Sequence, residues 1–236
     1  HCRDILPFLK VENWTSVQDG DPAPMLNECP TFCYYRPKTR GSPGVMSYLN
    51  RDARREVIVL AAMRVALRGG FSAMTVRQIA AEAGVSAGQL HHHFTSAGEL
   101  KAHTFVRLIR EMLDMPLVAD DATWRERLFS MVGSDDGKLE PYIRLWREAQ
   151  LLADSDSDIK GAYLLTMSMW HEETLKIIQR GTEAGEFTPK DHAESIAWRL
   201  IALVCGLDGI YALGMEEIDD ATFNRHINYF ISMELF

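Results

Sequence analysis

The chain has no apolar stretch long enough to cross a bilayer. Its longest apolar run, residues 200–207, is bracketed by Arg199 and Asp208. Residues 1–30 lack the continuous apolar core of a secretory signal. Cysteine is scarce: Cys205 is the only one of four beyond residue 45. Cys29-x-x-x-Cys33 has no second ligand pair nearby, so no metal is expected. The thiols read as reduced side chains of a cytoplasmic protein with no membrane partner. Catalytic signatures are missing too. There is no glycine-rich phosphate loop, no Gly-x-Ser-x-Gly and no His-Glu-x-x-His, so neither an enzyme nor a cofactor is expected.

Six of the nine prolines lie at positions 7, 22, 24, 30, 37 and 43, in a segment with no helical or strand period. Residues 1–45 therefore read as a poorly ordered leader, and Met46 as a domain start and the natural initiator. Charge is uneven. The net is 0 over residues 1–45, +2 over 46–100 and −10 over 101–236, for −8 in all. A slightly basic head on an acidic body suits a nucleic-acid-binding module whose remainder phosphate would repel.

Beyond residue 50 nearly every segment has a helical period, and no convincing strand or internal repeat appears. Ile58, Ala61, Ala62, Val65 and Ala66 form one apolar stripe, which Asn50 can cap and Gly69-Gly70 can end. Further helices are expected near 121–132, 138–153, 157–181, 189–213 and 219–234. The fold class is all-α.

Three copies of a capping-box pattern, Thr75-x-x-Gln78, Ser86-x-x-Gln89 and Ser96-x-x-Glu99, fall within about 25 residues. Each satisfies the open donors of a helix start, so three helices should begin there: two short ones, then a long one. Gly84 can take positive φ between the first two. Small Ala80 permits close crossing, and Ile79, Val85 and Leu90 supply apolar contacts. Together these describe a helix-turn-helix within an N-terminal three-helix domain over 46–100.

Residues 51–105, including "GGFSAMTVRQIAAEAGVSAGQLHHHF" and "TSAGEL", resemble the DNA-binding region of the tetracycline-repressor (TetR) family of transcription factors. "CGLDGIYAL" at 205–213 resembles a stretch of the family's C-terminal domains. The resemblance implies that the helix at 86–92 enters the major groove of double-stranded operator DNA. The N-terminal residues of that helix should meet base edges; Ala87 and Gly88 let the backbone come close, and Gln89 could read adenine. The resemblance also assigns Arg77 to a base, His91 and His92 to phosphates or bases, and His93 to the backbone. Thr75 and Ser86 stand at helix starts that suit phosphate. Ala97 replaces a lysine usual in the family. Histidines that charge near pH 6.5 would make DNA affinity pH-sensitive.

Residues 101–236 read as a helical ligand-binding and dimerisation domain. Trp124, Tyr142, Trp146, Glu148, Gln150, Met167, Trp170 and His171 are the candidate lining of a small-molecule effector cavity, largely on the resemblance. Phe129, Met131, Met169 and Trp198 add apolar bulk. The acidic, aromatic body favours a hydrophobic cation, with Glu148 neutralising it. The resemblance implies a homodimer joined through the helices at 189–213 and 219–234, and a repressor released by its effector, as in efflux control. The alternatives are a DNA-binding regulator governed by a protein partner and an all-α enzyme using Glu148 or His171 as base.

Overall fold

The computed structural model describes residues 51–134, 137–215 and 217–236. The leader at 1–45, the Met46 start and the Asn50 cap lie outside the described residues. Nine α-helices and no strand occur among those described.

The first helix, α1 (Arg51–Ala73), buries the expected stripe and adds Val59 and Met63. Gly70 interrupts it at φ 70° and ψ −170°, and a last turn then runs to Ala73. α2 (Val76–Ala83) begins at Thr75, whose side chain accepts the Gln78 N–H at 3.2 Å. It ends at left-handed Gly84, and the Val85 N–H returns to the Ala80 carbonyl at 3.0 Å. α3 (Ala87–His93) carries the one fully reciprocal box of the three, between Ser86 and Gln89. α4 (Ala97–Leu113) starts where Ser96 accepts the Glu99 N–H at 2.9 Å. The Glu99 carboxylate reaches past Ser96 to the Thr95 N–H and hydroxyl.

The body continues with α5 (Trp124–Val132), α6 (Glu140–Leu152), α7 (Ser157–Glu183), α8 (Ala193–Tyr211) and α9 (Asp220–Leu235). Two starts lie three or more residues from expectation. α5 begins at 124 rather than 121 because Thr123 and Glu126 form a capping box. α8 begins at 193 rather than 189. Upstream, the Thr188 and Lys190 N–H groups donate to the Leu235 and Glu234 carbonyls at 2.7 and 2.8 Å, tying this segment to the end of α9. No described helix is long and apolar enough to cross a membrane.

Burial divides into two clusters. The first joins Ile58, Phe71, Ile79, Leu90 and Phe94 to Phe105 and Leu108 of α4, Leu145 and Ala149 of α6, and Ile159 and Ala162 of α7. This core continues past residue 100, because α4 and α6 pack onto α1. The second gathers α5, the latter part of α7, α8 and α9 around Leu128, Ile178, Leu200 and Ile227.

The turn at Gly70 is held from outside. The Phe71 N–H donates to the Glu148 carboxylate at 2.6 Å, and the Arg144 guanidinium donates to the Leu67 carbonyl at 2.7 Å. Both grips come from α6. A Cβ built on Gly70 would collide with the Glu148 carboxylate. His103 of α4 lies against Arg55 of α1, Nη1 to Nε2 at 3.4 Å. Burial pushes its pKa down, and Arg55 and Arg107 push the same way against Glu99 and Glu56.

Gly70→Ala should therefore lose about 1–3 kcal/mol of stability from backbone strain, before any displacement of Glu148 is counted. Urea unfolding measures this, and an unchanged midpoint contradicts it. His103 gives a pH prediction. Unfolding restores its ordinary pKa of 6.5, so the unfolded chain takes up the proton first as pH falls. Stability from this site is complete above about pH 6.5 and is lost progressively below it. His103→Gln should flatten stability against pH between about 6.5 and 5; an unaltered slope would contradict a neutral His103 in the fold.

Candidate DNA-binding face and effector cavity

α2 and α3 present their polar residues to solvent. Thr75, Arg77, Ser86, Ala87, Gly88, His91 and His92 are exposed, while Gln89 and His93 are half-buried. Buried Leu90 and Phe94 fix α3 from beneath. Gln89 is not a free reader: its Oε1 accepts the Ser86 N–H at 3.1 Å, which leaves only the amide nitrogen for a base. His93 also differs from the sequence-based view. Its pKa is pushed down by burial and then by Arg51, Arg54 and Arg55, so it charges below the ordinary histidine range.

Those three arginines were not among the sequence candidates. They stand in the first turns of α1 close enough to act on His93, and the Arg55 guanidinium lies 4.7 Å from the Phe94 ring centre. The Arg-x-x-Arg-Arg spacing at 51–55 was the available signal. Arg64 and Arg68, farther along α1, are paired with Glu82. Ala97 is exposed at the start of α4.

In the body, a cavity of about 200 Å³ opens between α4, α5, α6, α7, α8 and α9. Its lining follows from the spacing along α6. Ile143, Trp146, Arg147 and Gln150 recur every three or four residues and form one stripe on the cavity wall. Arg144 and Glu148 form a neighbouring stripe that grips α1, and Leu145 and Ala149 between them enter the first core.

The cavity is aromatic. The Trp146 ring centre lies 5.3 Å from Trp170 and 6.2 Å from Tyr163, both edge to face. Burial raises the Tyr163 hydroxyl pKa, and the nearby Trp146 indole partly opposes this. The Trp146 N–H itself does not reach hydrogen-bond geometry and is buried without a partner. The wall is also charged. The Arg147 guanidinium donates to both Asp208 carboxylate oxygens, at 2.9 and 2.6 Å, and to Glu140 at 3.1 Å. Asp220 accepts from the Ser134 hydroxyl at 2.6 Å.

Of the eight residues read from sequence as cavity lining, Trp146, Gln150 and Trp170 stand on this wall. Glu148 does not, because its carboxylate is spent on the Phe71 amide. Trp124 packs against the second core and donates its backbone N–H to Glu186. Tyr142 packs against the first core. His171 stacks on Trp198 with ring centres 4.3 Å apart, outside the cavity lining, and Met167 is likewise absent from it. Sequence reasoning missed Tyr163, Arg147 and Asp208. The last two lie 61 residues apart, and no local pattern joins them.

The sequence model described as "Bacterial regulatory proteins, tetR family" matches residues 58–101. The HTH-type transcriptional regulator BetI of Brucella abortus (strain 2308) is 28% identical over 187 residues, covering 77% of this chain and 91% of that protein. A transcriptional regulator from Saccharomonospora viridis, crystallised in complex with choline, is 25% identical with a TM-score of 0.61, covering 78% of this chain and 98% of that one. The multidrug binding protein EbrR, complexed with proflavin, is 21% identical with a TM-score of 0.54, covering 75% and 99%; at that identity the likeness bears on fold alone. Capped helices crossing at Gly84 and a family match over the same residues lead to one conclusion: residues 58–101 form a helix-turn-helix of the kind found in the tetR family of bacterial regulatory proteins, and the chain is similar to regulators of that kind along both of its parts.

Proposed function

We propose that this regulator is a repressor that leaves its operator when a compact hydrophobic cation enters the body cavity. The observation that carries this is the edge-to-face group of Trp146, Tyr163 and Trp170 on a wall that also holds Glu140, Asp208 and Asp220. Aromatic faces attract quaternary ammonium groups, and carboxylates offset the charge. The cavity's 200 Å³ lies below the roughly 300–1,000 Å³ of pockets for drug-sized ligands, which favours a small cation over a polycyclic dye. The choline bound by the Saccharomonospora viridis relative supports the same class.

In this reading residues 46–100 hold the DNA and 101–236 receive the effector and dimerise. The uncovered apolar residues of α8, α9 and the segment between them, among them Trp198, Leu213, Tyr229 and Met233, support a second copy as partner. Two reading helices would then meet half-sites about one helical turn, roughly 34 Å, apart. Movement in the cavity reaches the head through α6, which lines the cavity on one stripe and grips the turn at Gly70 on the next. The enzyme alternative loses its residues, since Glu148 is bound to the Phe71 amide and His171 is stacked on Trp198.

Two experiments follow. Choline should release the protein from its operator fragment, while 3,3-dimethylbutan-1-ol, its uncharged isostere, should not; equal release by both would remove the cation reading. On the DNA side, Arg77→Ala should cost about 1–3 kcal/mol of operator binding and relax preference at one base pair per half-site. Gln89→Glu preserves the capping box but replaces an amide donor with a carboxylate. It should cost a similar amount with no loss of fold. Gel-shift affinities equal to wild type would leave Gln89 as a cap alone.

A further inference from the structure

Arg147 stands where a cationic effector would be expected to bind. The charged groups lining the cavity, among the described residues, are Glu140, Asp208 and Asp220 against Arg147, a net of −2. A cation leaving water for this wall needs a carboxylate, because an unpaired charge is costly to bury. Asp208 is the better-shielded carboxylate, its side chain 26% exposed against 53% for Glu140. Yet both of its oxygens are already held by Arg147, at 2.9 and 2.6 Å.

The same guanidinium touches a second carboxylate. Its Nη1 donates to Glu140 at 3.1 Å, on the water-facing side. An incoming cation can therefore take Asp208 without stranding a charge, provided Arg147 withdraws to Glu140. A quaternary ammonium offers no N–H to replace the two lost hydrogen bonds. Its compensation is contact with the faces of Trp146, Tyr163 and Trp170. Guanidinium, by contrast, prefers the planar two-pronged pairing it already has.

We infer that Arg147 is a resident counter-cation that the effector must displace from Asp208, its guanidinium moving over to Glu140. This rests on the cation reading above and goes further, because it names the residue that sets affinity and selectivity. Arg147 opposes every cationic effector by the strength of its grip on Asp208, so only cations with enough apolar surface to engage the aromatic group displace it. The exchange also breaks the ion pair that ties α6 to α8. α6 is thereby loosened one residue from Glu148, its grip on the head.

Isothermal titration of the full chain with tetramethylammonium, and with tert-butanol as a neutral compound of similar branched shape, tests this. The wild type should bind tetramethylammonium in preference to tert-butanol. Arg147→Gln should bind tetramethylammonium at least tenfold more tightly, and Asp208→Asn at least tenfold more weakly. Arg147→Lys keeps a cation but loses the two-pronged bond, and should fall between wild type and Arg147→Gln. It carries the test if the glutamine variant fails to fold. Tetramethylammonium preference in the wild type with no gain in either Arg147 variant would overturn the exchange and leave the cation reading standing. Equal binding of both compounds, or of neither, would overturn both.

Discussion

The Glu148 carboxylate on the Phe71 amide is the contact on which the rest of the structure depends. α1 must turn at Gly70 to deliver Phe71 to the core and Thr75 to the start of α2. That turn uses a backbone conformation that essentially only glycine adopts, and glycine contributes no side chain to hold it. The restraint comes from 77 residues away, as a charged hydrogen bond of 2.6 Å. Such bonds are worth about 1.5–3 kcal/mol, enough to bias a turn but within reach of a ligand's binding energy. Arg144 doubles the grip through the Leu67 carbonyl.

Helical geometry makes this contact consequential. A helix of 3.6 residues per turn sends neighbouring positions about 100° apart. Thus Trp146 and Arg147 line the cavity, Glu148 holds the head and Ala149 enters the core, all within one turn of α6. No chain of intermediaries is needed: a small rotation or slide of this one helix alters a cavity wall and a hydrogen bond to the DNA-binding domain together.

The DNA-binding half was largely legible because its determinants are local. Capping boxes, a left-handed glycine and an apolar residue at fixed offsets all act within a few residues, and Thr75, Ser86 and Ser96 each cap the helix expected of them. The body was less legible because cavities are built from residues distant in sequence. Bulk and helical spacing found Trp146 and Trp170, but they equally proposed Trp124 and Tyr142, which are packed elsewhere. The carboxylate was sought at Glu148 on proximity in sequence to aromatics. The cavity wall carries Asp208 instead, on another helix, where only the tertiary fold brings it to Arg147. The same limit hid the role of Glu148, since nothing near Gly70 in sequence names its partner.

The measurement that bears most directly on this account is the coupling between effector and operator when the Glu148 half of the α6 grip is removed. Coupling is reciprocal, so it can be read as the ratio of choline dissociation constants with and without bound operator. The wild-type ratio should fall within the roughly 5–150-fold range usual for allosteric proteins. In Glu148→Ala, choline affinity for the DNA-free protein should stay within about twofold of wild type while the ratio falls well below the wild-type value. A Glu148→Ala protein that binds both ligands and retains the wild-type ratio would contradict transmission through α6.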